Sequence, residues 1–268
     1  MVEIFNDIRK TYQFAPPCGE LARHIEFFSE SMPSVLKEAM NGNFDNVKMF
    51  PSWTPTFWIN LGSPYYLSVG GKTHFIDSDK DVLVLRDGNV ERLKQSTDHI
   101  FTVKFLPGGL EAILGISQAK LIGQVINLNE ILAPAFLQKF KQPMSIAERV
   151  AMMQQFLLSN YKSKTEDYYL QFVTDCIENY GAAGMQINTS QVAERMFVTS
   201  KTINRYFNKV VGTSPKNYFS IMRARTALTA FVNQKDTFSP YDFGYCDMSH
   251  FYKDVVNFTG QKLSVNSF

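Results

Sequence analysis

The hydrophobic rhythm of the chain changes near its middle. Up to about residue 130, runs such as "TPTFWINLG", "PYYLSVGG", "KTHFIDS", "KDVLVLRDG" and "HIFTVKFLPGG" are rich in Phe, Tyr, Val and Ile. Pro, Gly, Asn and Asp break them at close intervals. Short apolar runs between turn-forming clusters predict a sandwich or barrel of short strands. In "FLPGGLEAIL" a strand passes through Pro107-Gly108-Gly109 into a helix.

From about Pro134 the period becomes helical. Ile146, Val150, Met153 and Leu157 recur at helical spacing, as do Leu170, Val173, Ile177 and Tyr180. Thr165 is suited to cap the second of these helices, with Glu166 and Asp167 against its dipole, and "YGAAG" ends it. Asn188 and Gln191 have the spacing of a capping box ahead of Val192, Ala193 and Met196. A tight turn at Phe197-Val198 leads to Thr199, a good N-cap. In the helix that follows, Ile203, Phe207 and Val210 share one face, while Lys201, Asn204, Arg205 and Asn208 share another. Gly212 stops it. Ser214-Pro215 starts a long helix, because Pro suits the first helical position and keeps its predecessor out of the helix. A final short pair is centred on "YDFGYCDMSHFYKDVVNFTG". The predicted class is α+β, with a β-rich domain over 1–133, a helical connector over 134–164 and an all-α domain over 165–268.

Composition narrows this picture. At 268 residues with 45% hydrophobic content the chain can hold one large domain or two ordinary ones around a real core. No apolar run approaches the roughly 18 residues of a membrane span, and "MVEIFNDIRKTYQF" lacks a signal peptide's apolar region. A cytoplasmic protein without membrane contact is expected. Cys18, Cys176 and Cys246 are odd in number and form no CxxC pair or disulfide framework. The net charge of +2 is uneven: residues 181–268 carry 10 Lys+Arg against 5 Asp+Glu. A basic C-terminal segment suggests an acidic partner, or else chance variation on a solvated surface.

The C-terminal part contains helix, tight turn, helix twice. "VAERMFVTSKTINRYFNKVVG" pairs with "SPYDFGYCDMSHFYKDVVNFTG", matching Ile203 to Phe251, Arg205 to Lys253 and Gly212 to Gly260. A helix-turn-helix places its second helix in the DNA major groove, and two such units on a rigid connector can occupy successive grooves. Here the chain resembles the AraC/XylS family of bacterial transcription regulators. The resemblance is carried by Ala193, Thr199, Ile203, Arg205, Phe207, Gly212, Ser214-Pro215, Tyr218, Arg223, Ala227, Gly244-Tyr245, Asp247, Ser249-His250-Phe251, Lys253 and Gly260. It covers about 100 C-terminal residues. "FLPGGLEAILG" and the strands before it look like the β-rich, cupin-like sensing domain of one branch of that family. The chain also departs from the pattern. Phe197 stands at a turn position where the family has Gly, and Ser239-Pro240 replaces an Ile-Ala pair inside the first helix of the second unit. Pro there removes a helical hydrogen bond and must shorten or kink that helix. Val255 replaces a core Phe, and Lys262-Leu263 a closing Ser/Thr-Pro.

The resemblance implies a one-component regulator that binds double-stranded promoter DNA. A homodimer, contact with RNA polymerase and a small-molecule effector follow from the same resemblance. The rival is a regulatory module whose degenerate second unit acts through protein partners. In the first unit the candidate DNA contacts are Lys201, Thr202, Asn204, Arg205 and Lys209. Arg pairs bidentately with guanine and Asn with adenine, although the resemblance implies that an Arg at the position of Arg205 can brace the fold or touch phosphate instead of reading a base. Lys216 and Arg223 are phosphate candidates. In the second unit the candidates are Ser249, His250, Tyr252 and Lys253, with His250 alternatively a local cap or a packing residue. Trp53, Trp58, Tyr66 and Phe75 supply either an apolar effector pocket or ordinary sandwich core.

Catalytic chemistry finds no constellation. His24, His74, His99 and His250 are scattered without HxH or HExxH spacing, and no GxSxG, P-loop or dinucleotide fingerprint occurs. No catalytic residue, metal or cofactor is expected. Asp77, Asp79 and Asp81 alternate in a turn-rich stretch without the rest of a calcium loop, and an exposed loop is the expectation. Cys18 is a sensing thiol or a bland loop or core cysteine.

Overall fold

The computed structural model describes residues 11–35, 45–88, 90–94, 97–161 and 168–260. Thr165, Glu166, Asp167 and Lys262-Leu263 lie outside the described residues. The β-rich part consists of β1 (Tyr12–Ala15), β2 (Ile25–Ser31), β3 (Asp45–Met49), β4 (Pro55–Asn60), β5 (Tyr65–Val69), β6 (Lys72–Ile76), β7 (Val82–Leu85), β8 (Val90–Lys94), β9 (Ile100–Phe105) and β10 (Val125–Asn127). They form two antiparallel sheets, of order β1-β2-β9-β4-β7-β10 and β3-β8-β5-β6.

The larger sheet is a middle layer. Alternate residues of a strand face opposite sides. In β4, Phe57 and Ile59 join the main core with the helices, whereas Trp58 packs with Tyr65, Leu67, Val82, Val84 and Ile100 between the sheets. Every residue of β4 is buried, as a strand covered on both faces requires. The two sides of the sheet therefore carry two separate apolar clusters.

The helices follow: α1 (Gly109–Leu114), α2 (Pro134–Phe140), α3 (Ile146–Asn160), α4 (Tyr168–Ala182), α5 (Thr189–Arg195), α6 (Ser200–Val210), α7 (Pro215–Asn233) and α8 (Met248–Thr259). Their caps are those the local sequence specifies. Ser145 and Glu148 close a capping box on α3, and Asn188 and Gln191 close another on α5. Thr199 accepts from Thr202 N at the start of α6, and Ser214 caps α7 with Pro215 at its first position. Between α2 and α3, Arg149 is buried and donates to the carbonyls of Phe140, Gln142 and Met144 and to Glu30 of β2 at 2.8 Å. One guanidinium thus satisfies the end of α2 and fastens the connector to the sheet.

Asp81 corrects an expectation. Asp79 is exposed, but Asp81 is buried, accepts from Asn60 N at 2.7 Å and pairs with Lys141 at 3.0 Å. Its partners come from β4 and the end of α2, so local polarity did not reveal them.

The two helix-turn-helix units are α5–α6 and, after the long α7, a 3-10 turn at Pro240–Phe243 followed by α8. The shortened helix forced by Pro240 is reduced to that single 3-10 turn, ended by Gly244 in the left-handed region. No helix among the described residues is long and apolar enough to cross a membrane.

Candidate nucleic-acid interface

α6 is sharply two-faced. Ile203, Tyr206, Phe207 and Val210 are buried, while Lys201, Asn204, Arg205, Asn208 and Lys209 are exposed. Phe207 sits edge-on to Phe219 of α7 at 5.3 Å, and Tyr206 packs against Tyr169 and Phe172 of α4 at 4.9 and 5.1 Å. These rings hold the helix by its inner side and leave the polar stripe outward. Thr202 is half-buried, its hydroxyl 3.0 Å from that of Thr199. Arg205 lies over the Tyr206 ring at 5.1 Å, and Lys209 over the Tyr169 ring at 3.4 Å. Both cations are thereby oriented along the stripe. Asn208 donates to Asn204 O at 2.7 Å, which leaves the Asn204 amide side chain on the exposed face.

The turn before α6 is held by Phe197, which is 96% exposed with φ +56°. A bulky residue in the left-handed region is strained. It stands where the resemblance predicts Gly, and the backbone there takes the conformation Gly would allow.

α8 is less polar. Ser249, Tyr252, Lys253, Val256 and Asn257 are exposed, and Phe251, Val255 and Thr259 are buried. Asp247 caps the helix by accepting from His250 N, and the His250 ring lies edge-on to Tyr245 at 5.0 Å. Tyr252 leans on Phe231 and Phe251 at 6.3 and 5.7 Å. Arg223 pairs with Asp254 at 3.0 Å and covers the Tyr245 ring at 4.4 Å. It joins α7 to α8 rather than facing outward as a phosphate candidate would. Lys216 is exposed in the first turn of α7.

The four aromatic effector candidates are not brought together. Trp58 lines a small cavity of about 60 Å³ between the sheets, with Arg86, Arg92 and Lys104 among its other walls. Trp53 belongs to the core on the far side of the larger sheet. Tyr66 and Phe75 pair across β5 and β6 with rings 5.3 Å apart, but on the outer face, where both are exposed. A one-residue offset along β5 separates them from the buried Tyr65. A roomier cavity of about 530 Å³ opens at the junction of the β-rich part and the helices. His24, Gly108, Glu111, Tyr161, Gln171 and Val210 are among its walls. His24 is buried and shares a 2.8 Å hydrogen bond with Tyr161 Oη. Burial, and secondly the Arg23 charge, hold its pKa below the ordinary value.

The residue that sequence reasoning missed is Gln118. It is fully buried, its side-chain nitrogen donates to Trp53 O at 2.7 Å and Val211 O at 2.8 Å, and its oxygen accepts from Gly108 N at 3.0 Å. A lone Gln after Ser117 carries no local signal of such a role. Among the described residues no group of three or more His, Cys, Asp or Glu is placed to hold a metal.

No family model matches the chain, and no curated protein matches it. Solved structures similar to it include ToxT from Vibrio cholerae, with 12% identity, TM-score 0.49 and coverage of 97% of this chain and 98% of that one. A second ToxT structure, from Vibrio cholerae O395, gives 11% identity, TM-score 0.49 and coverage of 85% and 94%. The AraC-like transcriptional activator CuxR gives 11% identity, TM-score 0.31 and coverage of 84% and 89%. At these identities and scores the likeness assigns no ligand, target or activity to this chain, whose described residues nevertheless form a β-rich sandwich followed by two helix-turn-helix units.

Proposed function

We propose that the chain is a sequence-specific DNA-binding transcription regulator of the cytoplasm, with α6 as its principal reading helix. The carrying observation is the exposed stripe of Lys201, Asn204, Arg205 and Lys209 on a helix whose opposite face is locked into the core. An Arg and an Asn side by side on such a helix have the hydrogen-bonding groups to read guanine and adenine edges. α8 adds Lys253 and Ser249 and contributes mainly backbone contact. Residues 1–133 act as the sensing part, 134–164 as connector and 165–268 as the DNA-binding part. An effector fits the junction cavity better than the space between the sheets, because ligand pockets run from about 300 to 1,000 Å³.

The test is selection from a random duplex pool by the full chain, followed by a salt titration of the selected and random sequences. Enrichment of a common motif, with affinity for both duplexes falling as salt rises, supports the proposal. No enrichment together with salt-independent behaviour overturns it. A second reading, contact of the α8 unit with a protein, is favoured by Tyr252 and Val256, both exposed on that helix. A motif spanning only one groove is the outcome that would support it.

A further inference from the structure

The end of the reading helix is not held by the helical part alone. Gln118 lies at the start of a 3-10 turn (Gln118–Leu121) in the segment that follows α1. Its two donated hydrogen bonds run to the carbonyls of Trp53, just before β4, and Val211, the C-cap residue of α6. Its acceptor oxygen takes the N–H of Gly108, next to α1. One buried amide therefore ties the last turn of α6 to two separate places in the β-rich part. A helix leaves its last carbonyls without intrahelical partners, and a buried carbonyl without one is costly.

The surroundings of this amide are close-fitting and strained. Trp53 has φ +50° although it is not glycine. Its N–H and that of Ser52 both donate to Arg86 O, at 3.0 and 2.9 Å. Gly108 has φ +76°, and a Cβ there would lie 2.5 Å from Leu170 Cδ1 of α4 and 2.8 Å from Val210 Cγ1 of α6. Gly108 and Val210 also wall the junction cavity. A continuous path of backbone and side-chain bonds thus leads from Arg86, at the cavity between the sheets, through Trp53 and Gln118 to the end of α6.

We propose that Gln118 is a positioning residue for DNA reading: it sets the attitude of α6 from the β-rich part, so that whatever displaces the Trp53 or Gly108 segment is felt at the reading helix. This rests on the functional reading above, and deepens it by naming how the reading helix is governed. Loss of the two donors leaves two buried carbonyls unsatisfied, which together shift a local equilibrium by about tenfold or more.

The experiment compares the full chain with Gln118→Leu and Gln118→Glu. Leu removes every hydrogen bond, whereas Glu keeps the acceptor for Gly108 N and, because burial between two carbonyls favours its protonated form, donates to only one of them. Hydrogen exchange is followed at the amides of 207–213 and, as an internal control, at those of α8. Affinity is measured for the selected duplex and for random duplex. In each variant that folds, exchange at 207–213 should quicken about tenfold while α8 is unchanged, and the ratio of specific to random affinity should fall about tenfold with random affinity kept. A merely structural loss would lower both affinities together. Unchanged exchange at 207–213, or quickened exchange with the wild-type affinity ratio, overturns the positioning role while leaving DNA reading intact. A wild type that prefers no sequence overturns the functional reading, and the positioning role with it. If Gln118→Leu does not fold, the Glu variant decides by the same criteria, and if neither folds the residue is needed for the fold itself and the positioning role is overturned.

Discussion

The two helix-turn-helix units share a plan and differ in how it is built. The first has two α-helices, a capping box and a Thr N-cap, and it carries its cations on an outward stripe. The second has a 3-10 turn in place of its first helix and a single Lys on α8. Its half-buried histidine lies against Tyr245. Their anchors differ too. The end of α6 is bound through Gln118, whereas α8 is held by Arg223 on Asp254 and by Phe258 packed 6.0 Å from Phe50. Both units bury a phenylalanine completely, Phe207 in one and Phe251 in the other. Core burial therefore does not distinguish them. The difference lies in exposed chemistry and in the helices and caps that present it, and under the proposed function these properties set how much of the binding energy each unit supplies.

The hardest test of this comparison is to damage the two cores equally. Phe207→Ala and Phe251→Ala should each destabilise the fold by about 3–5 kcal/mol, read by denaturant unfolding. Specific DNA affinity of the molecules that remain folded should fall much further with Phe207→Ala. Equal loss of specific affinity in both variants would break the asymmetry.

A gentler probe leaves the cores intact. Asn204→Ala and Arg205→Ala should each weaken binding to the selected duplex by about 1–3 kcal/mol and spare random duplex. Lys253→Ala should instead weaken binding to all sequences alike and reduce the salt slope by about one unit, as a phosphate contact does. Titrations on both duplexes at several salt concentrations check the pair. Base-selective loss from Lys253→Ala would show that α8 reads sequence as well.

The pH dependence should fall on the first unit's side. His24 has a lowered pKa in the folded chain, so folding favours its neutral form. Its contribution to stability is present above the unfolded value of 6.5 and is lost as pH falls through the folded value. Leu170 of α4 and Val210 of α6 share its cavity. Melting temperature should drop between about pH 7 and pH 5 more in the wild type than in His24→Gln, and exchange should quicken in α4 and α6 before α8. The smallest effect is expected at Pro240. It occupies the first position of its 3-10 turn, where a missing N–H does no harm, so Pro240→Ala should change stability by less than about 1 kcal/mol in a thermal melt. A large gain would mean that the second unit is strained rather than rebuilt around its proline.

Much of the first unit was legible in the linear pattern. The caps at Asn188, Thr199 and Ser214, the turn at Phe197 and both faces of α6 depend on residues within one or two turns of each other, so neighbouring positions contain them. The aromatic residues of the β-rich part were visible as a supply but not as a site. Which face Tyr66 and Phe75 take depends on the register of β5 with β6 and β8, and that register joins residues well separated along the chain. Tyr206 was hidden differently. Its ring reads as one more polar-tipped aromatic until Tyr169 and Phe172 of α4 are laid against it.

The succession of a β-rich part by helices, the capped starts of α5, α6 and α7, and the polar stripe of α6 are thus properties of the linear chain. Helical and strand periodicity and capping are short-range effects written in neighbouring residues. Folding in three dimensions was needed to make Asp81 an internal brace, to turn Arg223 inward and to join Gln118 to Trp53, Gly108 and Val211. Those roles come from buried polar groups needing partners, and most of the partners lie tens of residues away, where only the folded chain brings them within hydrogen-bonding distance.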